Sequence, residues 1–255
     1  MKIVTCVKQV PDTAARIAVE NGKIAWGDAP LVINPWDEYA VEAALQIKEA
    51  QGGTVTAVTI GGESATDALK HALAMGCDDA ILINDPALAA MDTQVVAQVL
   101  SSAVKKMGSV DLVFFGREGV DGNSGLVAAQ TARLLGFASL TLASVVKYEA
   151  GALRVERATE EGRQVVTSKP PAVLSIVKDY GEPRYPSFMG IRKASKAVIP
   201  TWTLVDLGIA GPVPVVSTSE IYNPPSREVN CEIISGTPGE IADKLVEKIL
   251  AEKIL

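Results

Sequence analysis

The chain has 255 residues, 48% of them hydrophobic, enough to bury one sizeable core and carry an appendage. A formal charge of −6 and a pI near 5.0 supply no basic field for nucleic acid, and no apolar run approaches the roughly 20 residues that span a bilayer. Met1-Lys2-Ile3-Val4-Thr5 enters an apolar strand without a hydrophobic leader, so the expectation is a soluble, cytoplasmic chain with no direct membrane insertion.

Ile3 to Val10 is apolar and β-branched and ends at Pro11-Asp12-Thr13, the pattern of a central strand and a turn. Glu20-Asn21-Gly22-Lys23 between two short apolar runs predicts a peripheral hairpin. Asn34-Pro35-Trp36-Asp37-Glu38 opens a helix that runs to about Gln51 and stops at Gly52-Gly53, with Asp37 and Glu38 suited to its first turn. Thr54 to Ile60 predicts a strand, and Gly61 to Gly76 a turn and a helix. Asp79 to Ile83 predicts a short strand, Asp92 to Met107 an amphipathic helix, and Val110 to Phe115 a buried strand. Strands alternating with helices imply right-handed crossovers and a parallel sheet covered on both faces, a three-layer α/β fold.

After a helix over Leu126 to Leu135, the runs Leu140 to Tyr148, Leu153 to Thr159 and Gln164 to Ser168 alternate as an antiparallel β edge. Ala172 to Val177 then reads as a last core strand. Beyond Asp179 the chain is punctuated by Pro183, Pro186, Pro200, Pro212, Pro214, Pro224 and Pro225, with no long periodic run until Ala242 to Leu255. The expected division is a nucleotide-binding α/β domain over residues 1–180 and an extended partner-binding arm with a C-terminal helix over 181–255. Phe188, Met189, Ile191, Trp202, Leu204, Val205, Leu207 and Ile209 favour an arm that lies on another subunit over a disordered tail.

From Gly116 to Gly125 a glycine falls at every third position, directly after a strand and before a helix. Glycines allow close backbone approach and the helix start offers unpaired N–H groups, so the stretch suits an anion. It is neither the dinucleotide fingerprint nor the Walker loop, and a plain strand-to-helix turn capped by Asn123 or Ser124 explains the same pattern. Ligands of parallel sheets sit beyond the carboxyl ends of the strands. That rule gathers Cys6 to Pro11, Asn34 to Glu38, Ile60 to Ser64 and Gly116 to Gly125 on one rim, where a nucleotide could lie. Cys6, Cys77 and Cys231 are widely spaced and read as small buried residues, not as a disulfide or metal framework. His71 sits mid-helix without a nucleophile arrangement around it, so no catalytic residue is expected.

These stretches resemble the beta (small) subunit of electron transfer flavoproteins along essentially the whole chain. The resemblance is carried by Cys6-Val7-Lys8-Gln9-Val10-Pro11-Asp12, Asn34-Pro35-Trp36-Asp37-Glu38 with Ala40 and Glu42, and Ala72-Leu73-Ala74-Met75-Gly76. It continues through Gly116-Arg117-Glu118-Gly119-Val120-Asp121-Gly122, Arg157 to Pro171, and Glu182-Pro183-Arg184-Tyr185-Pro186-Ser187-Phe188-Met189-Gly190-Ile191-Arg192-Lys193-Ala194.

The resemblance implies an adenine nucleotide α-hydrolase-like fold holding a structural AMP, or a second FAD in electron-bifurcating members. It implies a heterodimer with an alpha subunit that carries the redox FAD, fed by a flavin-dependent, acyl-CoA type dehydrogenase. Nucleotide contacts are then expected at Cys6, Asn34, Pro35, Trp36, Asp37, Ile60, Gly119, Val120, Asp121, Gly122, Asn123, Ser124, Gly125, Leu126 and Val127. Partner docking is expected at Arg184, Tyr185, Phe188, Met189, Ile191, Arg192 and Lys193. Two departures stand out: Leu126 replaces a glutamine of the family, and Glu118 adds a negative charge near the phosphate unless Arg117 pairs with it. The phosphate is therefore expected on main-chain N–H groups around Asn123 to Val127. AMP or a second FAD is left open, with AMP favoured. A stand-alone adenine-nucleotide hydrolase is the reading from another class.

Overall fold

The computed structural model describes residues 1–89, 91–223, 225 and 231–252, which form two compact units, Met1–Glu220 and Ile221–Leu255. The first unit opens with β1 (Lys2–Cys6), followed by β2 (Gln9–Pro11), β3 (Ala18–Glu20), β4 (Lys23–Ala25) and β5 (Leu31–Ile33). β3 and β4 form the expected hairpin, with Asn21 and Gly22 at φ of 51° and 71° in the turn. Then come α1 (Pro35–Gln51), β6 (Thr54–Ile60), α2 (Thr66–Met75), β7 (Asp79–Ile83), α3 (Thr93–Met107), β8 (Leu112–Gly116) and α4 (Val127–Leu135). Local signals set these helices: Pro35 starts α1, the Asp92 carboxylate accepts the Val95 N–H at the head of α3, and Gly76 at φ 134° ends α2. β9 (Ala138–Glu149), β10 (Ala152–Thr159), β11 (Gly162–Ser168) and β12 (Ala172–Ile176) follow. α5 (Phe188–Ala194) and β13 (Thr201–Trp202) complete the unit, and α6 (Pro238–Ala251) belongs to the second.

The main sheet runs β11-β10-β9-β12-β8-β1-β6-β7-β13. The strands from β9 to β13 in that order are mutually parallel, while β10 and β11 pair antiparallel at one end. This is the expected α/β sheet with its antiparallel edge. The central strands are apolar on both faces because helices cover both. Ile3, Val55, Ala57, Leu112 and Phe114 pack against α1 and α2, whereas Val4, Val58, Val113 and Phe115 pack against α3 and α4.

Four short elements were not expected from the sequence: β2 with β5, α5 and β13. β13 pairs Thr201 with Leu82 and Trp202 with Ile83, which closes the open edge of β7. The compact unit also extends to Glu220, well past the expected boundary at 180. The proline-punctuated stretch contributes single anchors to it, since Ala194, Leu204 and Leu207 are buried. In the second unit α6 is headed by a capping box of Thr237 and Glu240 and buries none of its residues. Pro224 and the last three residues of the expected Ala242 to Leu255 helix lie outside the described residues.

Candidate functional site

From β1 the chain adds β6 and β7 on one side, then crosses back to place β8 on the other side of β1. The strand order thus reverses between β1 and β8, the position at which open parallel sheets generally take up ligands beyond the carboxyl ends of the strands. The first turn of α1 ties the two strand ends together. The Asp37 carboxylate accepts the Lys8 N–H at 2.7 Å through one oxygen and the Gly116 N–H at 3.2 Å through the other. Asn34 donates its side-chain amide to the Glu118 carbonyl at 2.9 Å and accepts the Val120 N–H at 3.2 Å. A β-carbon on Gly116 would stand 2.4 Å from the Asp37 carboxylate and 2.6 Å from the Trp36 backbone, so only glycine lets β8 end here. Burial pushes the Asp37 carboxyl up to about 7, against the opposing pull of Asn34, the two N–H donors and the Lys8 charge.

The side chains of Asn34 and Asp37 therefore brace the glycine loop from below, with their polar atoms bonded to protein. Trp36 carries the Arg117 guanidinium over its ring at 5.5 Å, and Pro35 begins α1. Arg117 Nε lies 3.7 Å from Glu118, the pairing that offsets the extra carboxylate. Lys8 and Asp121 pair at 2.6 Å across the mouth of the loop. The Gly119 carbonyl accepts from both Gly122 and Asn123, at 3.2 and 2.8 Å, winding the loop into a tight turn. The Asn123 N–H is thereby engaged and drops out of the expected donor row. Ser124, Gly125 and Leu126 are exposed and Leu126 presents no polar group. The first bond of α4 runs from the Gln130 N–H to the Leu126 carbonyl, so the N–H groups of Val127, Ala128 and Ala129 have no acceptor in their own helix.

A cleft of about 240 Å³ opens on the same rim. It is walled by Ile60, Gly61 and Gly62 on one side and by the β7 exit, Asn84, Asp85, Leu88 and Met91, on the other. Cys6 packs in the same apolar cluster as Ile83 and Leu88, and burial raises its thiol pKa. The β7 exit was missed by the sequence reading, although the strand-end rule applies to β7 as much as to β1, and Asn84-Asp85-Pro86 is a turn signal. Asp85 shapes this wall: it accepts the Ala87 N–H at 3.0 Å and the Leu204 N–H at 3.1 Å.

The expected docking residues lie on α5 and the loop before it. Tyr185, Phe188, Met189 and Ile191 are exposed, Phe188 at 81%, and Arg192 and Lys193 are exposed beside them. Arg184 differs: its guanidinium is engaged by Glu42 at 2.7 Å and Glu49 at 2.5 Å on α1, so it is not a free docking cation. His71 Nε2 lies 2.8 Å from Glu38, on the helices and away from the cleft lining. Cys231 is exposed, against the expectation that all three cysteines are buried. Among the described residues no group of His, Cys, Asp or Glu is arranged to hold a metal, and no helix is long and apolar enough to cross a membrane.

Residues 22–207 match the family model described as "Electron transfer flavoprotein domain". The chain is 37% identical to an electron transfer flavoprotein subunit beta of Bacillus subtilis, covering 99% of this chain and 98% of that one. It is likewise 37% identical to the same subunit of Thermoanaerobacterium thermosaccharolyticum, with both chains fully covered. Subunit CarD of the caffeyl-CoA reductase-Etf complex of Acetobacterium woodii is 34% identical, again over the full length of both.

Proposed function

The chain belongs to the beta-subunit family of the electron transfer flavoproteins, and on that premise we propose that it is the small subunit of a heterodimeric electron carrier. In this reading it holds a structural AMP and docks a flavin-dependent dehydrogenase, and the FAD held mainly by an alpha subunit supplies the electron chemistry. Two features at the carboxyl ends of the strands support the reading, a row of N–H donors and a cleft. The free N–H groups of Val127 to Ala129 stand at the positive end of α4, and the cleft between Ile60 and Met91 opens on the same strand-end rim.

The residues present fit an adenylate. The phosphate would rest on the α4 N–H groups and the exposed Ser124–Gly125 backbone, and the nucleoside in the apolar cleft. Leu126 adds no side-chain donor, so the main chain carries the anion. Asn34 and Asp37 act through the loop they brace. CarD is by its name part of a complex with a CoA-thioester reductase, which supports a dehydrogenase of the acyl-CoA type as the docking partner. The cytoplasm is the proposed location.

The test is to purify the chain with its alpha partner, denature the complex and identify the released nucleotides. One FAD and one AMP per heterodimer is the expected outcome. Two FAD would replace this reading with the bifurcating one, and turnover of ATP by the chain alone would replace it with a hydrolase.

A further inference from the structure

A seven-residue helix does not hold its own shape in water, and α5 buries only Ala194. Something else must keep Phe188, Met189 and Ile191 on one exposed face. Two contacts do so, one on each side of Phe188. On the N-terminal side, the Arg184 guanidinium forks onto Glu42 through Nε and one Nη at 2.7 and 3.1 Å. It reaches Glu49, two turns further along α1, at 2.5 and 3.1 Å, while its own N–H donates to Glu42 at 3.1 Å. Glu42 is nearly buried and is itself fixed by Gln46 at 2.8 Å, which in turn accepts the Tyr180 hydroxyl at 2.9 Å. A lysine could not reproduce this planar, two-carboxylate grip.

Within α5, a β-carbon on Gly190 would lie within van der Waals overlap of the Ala74 carbonyl at the end of α2, and 2.9 Å from the Ser187 hydroxyl that caps α5. Any side chain at 190 would push the helix off α2.

We propose that Arg184 and Gly190 are positioning residues that present the apolar face of α5 in advance of contact, so that docking does not require the segment to order. The proposal rests on the docking reading of α5 given above. The occupant is the dehydrogenase, through an apolar pocket with acidic groups around it, complementary to the exposed Arg192, Lys193 and Lys196. Neither positioning residue touches the flavin or the partner in this account. Loosening them should therefore change the concentration at which the partner saturates and leave the maximal rate alone.

The experiment uses the intact heterodimer as acceptor for an acyl-CoA dehydrogenase reduced by its own thioester. Gly190→Ala and Arg184→Lys should each raise KM for the heterodimer on the order of tenfold, with kcat within about twofold of wild type and the flavin content unchanged. Phe188→Ala in the same assay reports on the docking face itself. If Phe188→Ala raises KM and both clamp variants leave it unchanged, docking at α5 stands and the clamps are overturned. If Phe188→Ala also leaves KM unchanged, the docking reading falls and takes the proposal with it. Should a clamp variant fail to assemble, amide hydrogen exchange on the free wild-type heterodimer decides. Protected amides in 191–194 are expected, and exchange at the rate of an unstructured peptide would overturn the proposal.

Discussion

Asp37 shows how one side chain can be read correctly as to place and not as to role. Its position in the first turn of a helix was evident from Pro35 and the acidic pair, because those signals are local. Its bonds to the Lys8 and Gly116 N–H groups were not, since these partners lie in the loop after β1 and at the end of β8, both distant in sequence. Burial raises this carboxyl from 3.8 to about 7, so between those values the folded chain binds a proton that the unfolded chain has released. Stability linked to Asp37 is therefore fully present below the unfolded value, falls as pH rises through the folded one, and is flat above it. The difference in denaturation midpoint between wild type and Asp37→Asn should shrink from pH 5 to about 7 and stay level beyond 8. A difference independent of pH over that range would mean that the carboxylate is ionised throughout.

At the scale of elements, the long and strongly periodic ones were legible. α1, α3 and the strands β6 and β12 start or end within a residue or two of the sequence expectation, because an apolar stripe or run marks each. β2, β5, α5 and β13 are two to seven residues long, too short for a period to register, and they exist through their partners. The candidate site divides in the same way: the glycine loop and the α1 start were found, while the β7 exit with Asp85 was not. Asp85 ends a chain of contacts from β13 to the cleft wall, since it receives both Ala87 and Leu204. Asp85→Ala removes both acceptor bonds and should loosen that wall. We expect the purified heterodimer to lose the proposed AMP about tenfold faster on dilution, with thermal stability lowered by roughly 1 kcal/mol. Unchanged retention would show that the β7 exit does not contact the nucleotide.

On the scale of the whole molecule, the unit Met1–Glu220 is a tightly packed sheet domain, and the unit Ile221–Leu255 buries little of its own. Tyr222, Ile233, Leu245, Val246 and Leu250 of residues 221–255 are exposed, and α6 is held by its capping box and the Lys248–Glu232 pair at 2.6 Å instead of by a core. Surface ion pairs of this kind contribute about 0–1 kcal/mol, too little to order a 14-residue helix. An amphipathic helix with an uncovered apolar stripe gains its stability by burying that stripe, and the expected cover is the alpha subunit. Removing residues 221–255 should therefore leave the unfolding midpoint of the isolated small subunit within about 2 °C of the full chain, because the buried residues, among those described, all lie between Ile3 and Leu207. The same deletion should weaken association with the alpha subunit by at least about a hundredfold, the consequence of losing several large apolar side chains from an interface. Both quantities come from paired measurements, thermal unfolding of the small subunit alone and sedimentation of the two chains mixed. A drop in the first without the second would place the unit on the chain's own domain, and the arm would then be a stabilising strap instead of a partner-binding one.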